Sequence, residues 1–350
     1  MRHADVRRAC PALALALAGT ALAGTVLLAG CGTPGPSDPG SARRTTATRA
    51  SAGKDPAPDP AASTPAPTVD TRCGSPRASY APEARDRPAA GKMPKGSTME
   101  QIRGRGRLVA GVSADTLLFG YRNPITGAIE GFDVDMLKAV SRAIFGDDRE
   151  IQYRVVTPAE RIGVLTSGEV DIVASTMTAT CERWRQISFS SVYFEAGQRV
   201  LVRRDSTLKN LSQMAGKKVC VSQSSTSLST LSAHPRVEAV QVSLQSDCLA
   251  LFQQGRVEGI TSDDTVLAGL VAQDPYAVVV GPKLTDEPYA LGMSAKQTDF
   301  VRFVNGVLEQ VREDGTWKAS YGRWIADRLS PTGTGKAAGT PDPPRPQYGR

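Results

Sequence analysis

Between residues 98 and 329 the chain alternates short apolar runs with segments whose apolar positions recur every three or four residues. Leu108–Val112 reads as a strand ending in a polar loop at 113–116, and Pro124 and Gly127 supply a turn further on. Within 135–145, Leu137, Val140 and Ile144 fall on one helical face. A strand at 151–156, a short helix at 159–167 and a strand at 170–174 follow. Strands alternating with helices imply parallel pairing. Ligands of such sheets bind outside the carboxyl ends of the strands, where Ser113, Thr176 and Thr178 fall.

Residues 188–203 are extended with no helix stop, as expected of a strand that leaves one domain and enters the next. A second alternating unit follows: a strand at 218–221, a Ser/Thr loop at 222–226, a helix, and a strand at Glu238–Val242. A helix at 247–254 and a strand at 257–261 complete it, the strand running into Ser262, Asp263 and Asp264. Hydroxyls and backbone donors at a helix start, as in the 222–226 loop, favour an anion. Residues 289–294 read as a returning strand. The amphipathic stretch 298–325, with Phe300, Val304, Val307 and Val311 at helical intervals, is expected to pack back on the first domain.

The flanks differ in kind. Residues 1–30 carry a basic start and an apolar stretch from 12 to 28, a secretory signal pattern. The tetrapeptide Leu28, Ala29, Gly30, Cys31 resembles a bacterial lipobox, which implies cleavage before Cys31 and a lipid anchor on that residue. Residues 31–72, rich in Pro, Ala, Thr, Ser and Gly, cannot bury enough surface to offset chain entropy and read as a disordered tether. An irregular lead-in segment spans 73–97, and a Gly/Pro-rich tail at 330–350 is expected to be disordered.

Charge narrows the function. The 350 residues hold 42 Lys and Arg against 35 Asp and Glu, a net +7. Part of that excess lies in the signal and tether, and no cluster of basic and aromatic residues on one face supports nucleic-acid binding. With only His3 and His234, and no Cys/His cluster at ligand spacing, neither a metal site nor a cofactor is expected. Cys73, Cys181, Cys220 and Cys248 remain once the signal and the lipidated residue are set aside. In an exported chain an even number implies disulfides. Cys220 and Cys248 share the second domain and are paired, which leaves Cys73 with Cys181.

The candidate chemistry centres on Arg183. Its planar cation can hold a carboxylate by two parallel hydrogen bonds, and Thr178 offers a backbone donor and a hydroxyl acceptor. One of the carboxylates at 263 and 264 could receive an ammonium group. These groups suit the two ends of a free amino acid.

The segments GFDVDMLKAVSRAIF (131–145) and VDIVASTMTATCERWRQISFSS (170–191) resemble the signature of the extracellular amino-acid-binding proteins of ABC transporters, family 3 of the bacterial solute-binding proteins. The likeness covers roughly 99–329 and extends to actinobacterial glutamine/glutamate-binding lipoproteins. It implies a periplasmic binding protein type II fold, two α/β lobes joined by two crossover strands. Lobe 1 would be discontinuous, 98–197 with 290–329, and lobe 2 would span 198–289.

The resemblance also implies roles. Arg183 grips the α-carboxylate, helped by the backbone at Thr178 and Thr226. The α-ammonium goes to the Thr176 carbonyl, the Thr178 hydroxyl and Asp263. Ser222 and Ser225 face the ligand across the cleft, and Arg161 takes a side-chain carboxylate. The sequence departs from the family where many members place a covering aromatic, having Asp115, Thr116 and Leu117 there, and where Cys181 replaces an acid often seen before the arginine helix. The implied ligand is glutamate or aspartate, or glutamine or asparagine. The implied partner is an ABC permease, or a membrane signalling protein if the molecule is a sensor, and the protein is expected to be monomeric. The same fold hosts prephenate or arogenate dehydratases, for which Asp263 or Glu195 would have to supply a proton.

Overall fold

The computed structural model describes residues 73–86, 89–329 and 340–350; the signal, Cys31 and the tether lie outside them. After a short strand β1 (Ala78–Ser79) and the helix α1 (Thr98–Gly104), the chain enters its first sheet at β2 (Leu108–Val112). A small meander, β3 (Asp115–Thr116), β4 (Gly120–Arg122) and β5 (Ile129–Glu130), leads to the helix α2 (Phe132–Phe145). Gly131 makes that entrance feasible: its φ is 137°, and a β-carbon there would collide with the Phe119 carbonyl, which accepts the Asp133 amide at 3.0 Å. Leu137, Val140 and Ile144 are fully buried, as their spacing requires.

The first lobe continues through β6 (Ile151–Val155), α3 (Arg161–Thr166), β7 (Ile172–Ala174), α4 (Cys181–Trp184) and β8 (Ile187–Phe189). β9 (Phe194–Ala196) then leads to the second lobe, built from β10 (Gln198–Arg203), β11 (Lys218–Ser222), α5 (Thr226–Ser232), β12 (Glu238–Val242), α6 (Gln245–Gln253), β13 (Gly259–Asp263), α7 (Asp264–Val271) and β14 (Ala277–Val280). The chain returns through β15 (Glu287–Tyr289) to β16 (Gly292–Ser294), α8 (Thr298–Glu313) and α9 (Thr316–Trp324).

Each lobe has a five-stranded sheet, ordered β6-β2-β7-β16-β8 in the first and β12-β11-β13-β10-β14 in the second. Three neighbouring strands of each are parallel, and the other two join antiparallel. β9 and β15 pair antiparallel, so both passages between the lobes run through one narrow ribbon. The strand ends carrying Ser113, Thr176, Ser222 and Asp263 thereby lie toward a shared boundary.

Three expectations change. The extended stretch 188–203 is three strands in three sheets, because Ser190, Ser191 and Gly197 interrupt it at the corners. The amphipathic stretch 298–325 is two helices, broken where Gly315 adopts φ 82°. The tail at 330–350 was expected to be disordered, yet residues 340–350 are packed on the first lobe. There β17 (Gln347–Tyr348) pairs parallel with β1, and the Arg350 guanidinium lies 3.9 Å from the centroid of the Trp184 ring. Composition hides this because the ordering partners belong to the lead-in segment and α8, where the Tyr348 hydroxyl donates to Glu309 at 2.7 Å. Both expected disulfides are present, Cys73–Cys181 and Cys220–Cys248.

Candidate functional site

The boundary between the lobes encloses a polar cleft. From the first lobe, Ser113, Asp115, Thr116, Arg161, Thr176, Thr178 and Arg183 reach it. Arg183 sits in α4, whose start Thr180 caps, its hydroxyl accepting the Arg183 amide at 3.2 Å. Arg183 as a whole is 8% exposed. It donates through Nη1 to the Thr178 carbonyl at 2.8 Å and through Nη2 to the Ser224 carbonyl of the other lobe at 3.3 Å.

Thr178 is fixed by a bridge to Tyr289 made by the flanking residues, Ala179 donating to Pro288 and Ala290 to Met177. Its own amide is therefore not spent on that bridge. Thr176 sits at φ 41°, held by its amide donating to Asp133 at 2.7 Å, and Asp133 is in turn pinned by the Tyr193 hydroxyl at 2.5 Å. Burial raises the Asp133 pKa to about 6, against those two bonds. Arg161, 4% exposed, donates to the carbonyls of Pro158 at 3.1 Å and Ser175 at 2.9 Å and more distantly to Thr176.

The second lobe supplies Ser225, Thr226, Ser227, Gln245, Ser262, Asp263 and Val266. Ser225 caps α5 by accepting the Leu228 amide at 3.0 Å, and so spends its hydroxyl on the helix. Asp263 precedes α7 but makes no capping bond; its Oδ2 accepts from the Tyr289 hydroxyl at 2.6 Å, and its buried Oδ1 has no partner. Burial, then the neighbouring Glu287 carboxylate, raises its pKa well above the ordinary range.

Of the residues singled out from sequence, Ser113, Arg161, Thr176, Thr178, Arg183, Ser225, Thr226 and Asp263 converge on this one cleft. Ser222 does not: it shares the α6-facing side of β11 with Cys220, whose disulfide partner is on α6, and its hydroxyl is fully buried without a partner. Phe119 belongs to the core and Tyr121 donates to Glu130, so neither covers the cleft. Glu195 is paired with Arg77 on the surface, away from the cleft lining.

Sequence reasoning missed Glu287 and Gln245. Glu287 is 2% exposed and accepts the Thr178 hydroxyl at 2.6 Å and the Thr226 hydroxyl at 2.8 Å on one oxygen, with Thr285 on the other. One carboxylate on the crossover ribbon thus ties a residue of each lobe. The acid in Thr-Asp-Glu-Pro-Tyr has no periodic signal that would have marked it.

The electrostatics are those of a zwitterion's complement. Burial lowers the pKa of both arginines, that of Arg161 to about 9 with Arg183 adding repulsion, and both stay protonated at neutral pH. Among the described residues neither forms an ion pair; both bond only to carbonyls. These two buried cations, with the Asp263 and Glu287 carboxylates beside them, can meet a ligand carrying an anion at one end and an ammonium beside it.

The profile of bacterial extracellular solute-binding proteins, family 3, matches residues 108–327. The ABC transporter glutamine-binding protein GlnH of Bacillus subtilis is 33% identical over 240 residues, 68% of this chain and 88% of its own length. A glutamine-binding protein of Geobacillus stearothermophilus is 37% identical over 204 residues, 58% of this chain and 78% of that one. Among solved structures, the P235GK mutant of ArgBP from T. maritima superposes with a TM-score of 0.62 at 30% identity, covering 65% of this chain and 98% of that one. The fold is that of the type II periplasmic amino-acid-binding proteins. The chain belongs to the bacterial extracellular solute-binding proteins of family 3.

Proposed function

We propose that this protein is a lipid-anchored extracytoplasmic receptor that captures glutamate, aspartate, glutamine or asparagine and presents it to an ABC importer. The observation that carries the reading is the pair of buried arginines facing Asp263 in a cleft between two lobes. Arg183 takes the α-carboxylate with the amides of Thr178 and Thr226. Because the Thr178 hydroxyl gives its proton to Glu287, its lone pairs are left to accept the α-ammonium beside Asp263 and the Thr176 carbonyl. Arg161 addresses an oxygen at the far end of the side chain. The relatives that are glutamine-binding proteins support this ligand class.

Capture begins on the first lobe, and the second swings over on the β9–β15 ribbon to complete the shell. Micromolar affinity corresponds to about −8 kcal/mol, within reach of a few charge-assisted bonds in a dry cleft. Cys31 carries the anchor. A thermal-shift screen of the twenty amino acids tests the reading: one or more of the four named ligands should raise the melting temperature, and a screen without a response to any of them overturns it.

A further inference from the structure

The second lobe places one group in the cleft that the α-carboxylate and α-ammonium leave unused. Gln245, at the start of α6, is 9% exposed and lines the cleft. Its Nε2 donates to the Ser262 hydroxyl at 3.2 Å, while its buried Oε1 has no partner. An unpaired buried acceptor is costly, and a ligand that fills the cleft can relieve it.

Its location indicates which part of the ligand it meets. Two of the hydrogen-bonded contacts that join the lobes stand at different places around the cleft. One is Arg183 to Ser224; the other is Asp115, whose Oδ2 accepts the Ser246 amide at 3.0 Å and the Ser246 hydroxyl at 3.1 Å. The second contact stands beside Gln245. Strand alternation turns Ser262, and with it Gln245, to the opposite side of β13 from Asp263. Gln245 thus lies at the Asp115 end, where the ligand side chain points once the α-groups sit on Arg183 and Asp263.

We propose that Gln245 reads the terminal group of the ligand side chain and is neutral between a carboxylate and a carboxamide. This rests on the reading of the cleft as an amino-acid site. Both terminal groups have an oxygen for Arg161; they differ in the second atom, an oxygen acceptor in the acid and an NH2 donor in the amide. A primary amide carries an acceptor on one arm and donors on the other, so a half-turn of the Gln245 amide presents whichever is needed. The Ser262 hydroxyl can donate or accept and follows the turn. A fixed carboxylate or ammonium at 245 could not do this.

The test is calorimetric titration of the full chain with L-glutamate and L-glutamine at pH 8. The wild type should bind both with dissociation constants within about tenfold of each other. Gln245→Glu, an acceptor only, should shift the glutamate-to-glutamine ratio roughly 100-fold toward glutamine, since it sets two anions together. Gln245→Met, matched in length, keeps the test open if a buried glutamate prevents folding: it should weaken both ligands by about tenfold or more and leave their ratio in place. A ratio unmoved by Gln245→Glu, unchanged affinities in Gln245→Met, or a wild type that separates the two ligands by more than about 100-fold overturns the inference while the amino-acid reading stands. A wild type that binds no amino acid overturns both.

Discussion

Asp263 is the residue whose titration should be visible in binding. Burial and then the neighbouring Glu287 carboxylate hold its pKa well above the usual carboxylate range, and an ammonium beside it favours the ionised form. Glutamine affinity should therefore fall as pH is lowered from 8 through the raised pKa of Asp263, and proton release on binding should accompany it. In Asp263→Asn the affinity should be lower and the slope lost; titrations at several pH values check both. Asp133 acts on stability instead. Its folded pKa, about 6, lies above the ordinary aspartate value of 3.8, so the folded state holds the proton longer and stability falls as pH rises between these values. Relative to Asp133→Asn, the wild type should lose roughly 2–3 kcal/mol from pH 4 to pH 7, read from denaturant unfolding. The side chains legible in the sequence were those whose type alone suggested chemistry, such as Arg183 and Asp263. Gln245 and Glu287 were not, because their importance comes from which distant hydroxyls they meet.

At the scale of elements, the periodic helices and short strands could be read directly, while the joins could not. Residues 188–203 have uninterrupted extended character, and only pairing partners far along the chain divide them among three sheets. The packed tail is the same lesson: Tyr348 and Arg350 find their contacts in segments about 270 residues away or on α8. Removing residues 340–350 should lower the melting temperature by about 2–4 °C and alter Trp184 fluorescence, because a cation–π contact and a strand pair are lost. The two disulfides should behave differently. On the chain-entropy model Cys73–Cys181, 108 residues apart, contributes about 5 kcal/mol and Cys220–Cys248, 28 apart, about 3.5 kcal/mol. Cys181 opens the helix that carries Arg183. Replacing Cys73 and Cys181 with serine should weaken glutamine binding as well as stability.

For the whole molecule, ligand capture requires the lobes to meet. Gly269 on α7 marks how closely they do: a β-carbon there would lie 2.6 Å from the Leu117 carbonyl oxygen of the first lobe. Gly269→Ala should favour the helix by about 1 kcal/mol but obstruct the contact, so that ligand affinity falls by about tenfold or more without any change to the cleft lining. The single measurement that bears most directly on the central claim is calorimetric titration of glutamine and glutamate into wild type and Arg183→Ala. The account predicts binding by the wild type and a loss of at least about 100-fold in the variant, with its unliganded melting temperature little changed. Equal affinities in the two proteins would contradict it.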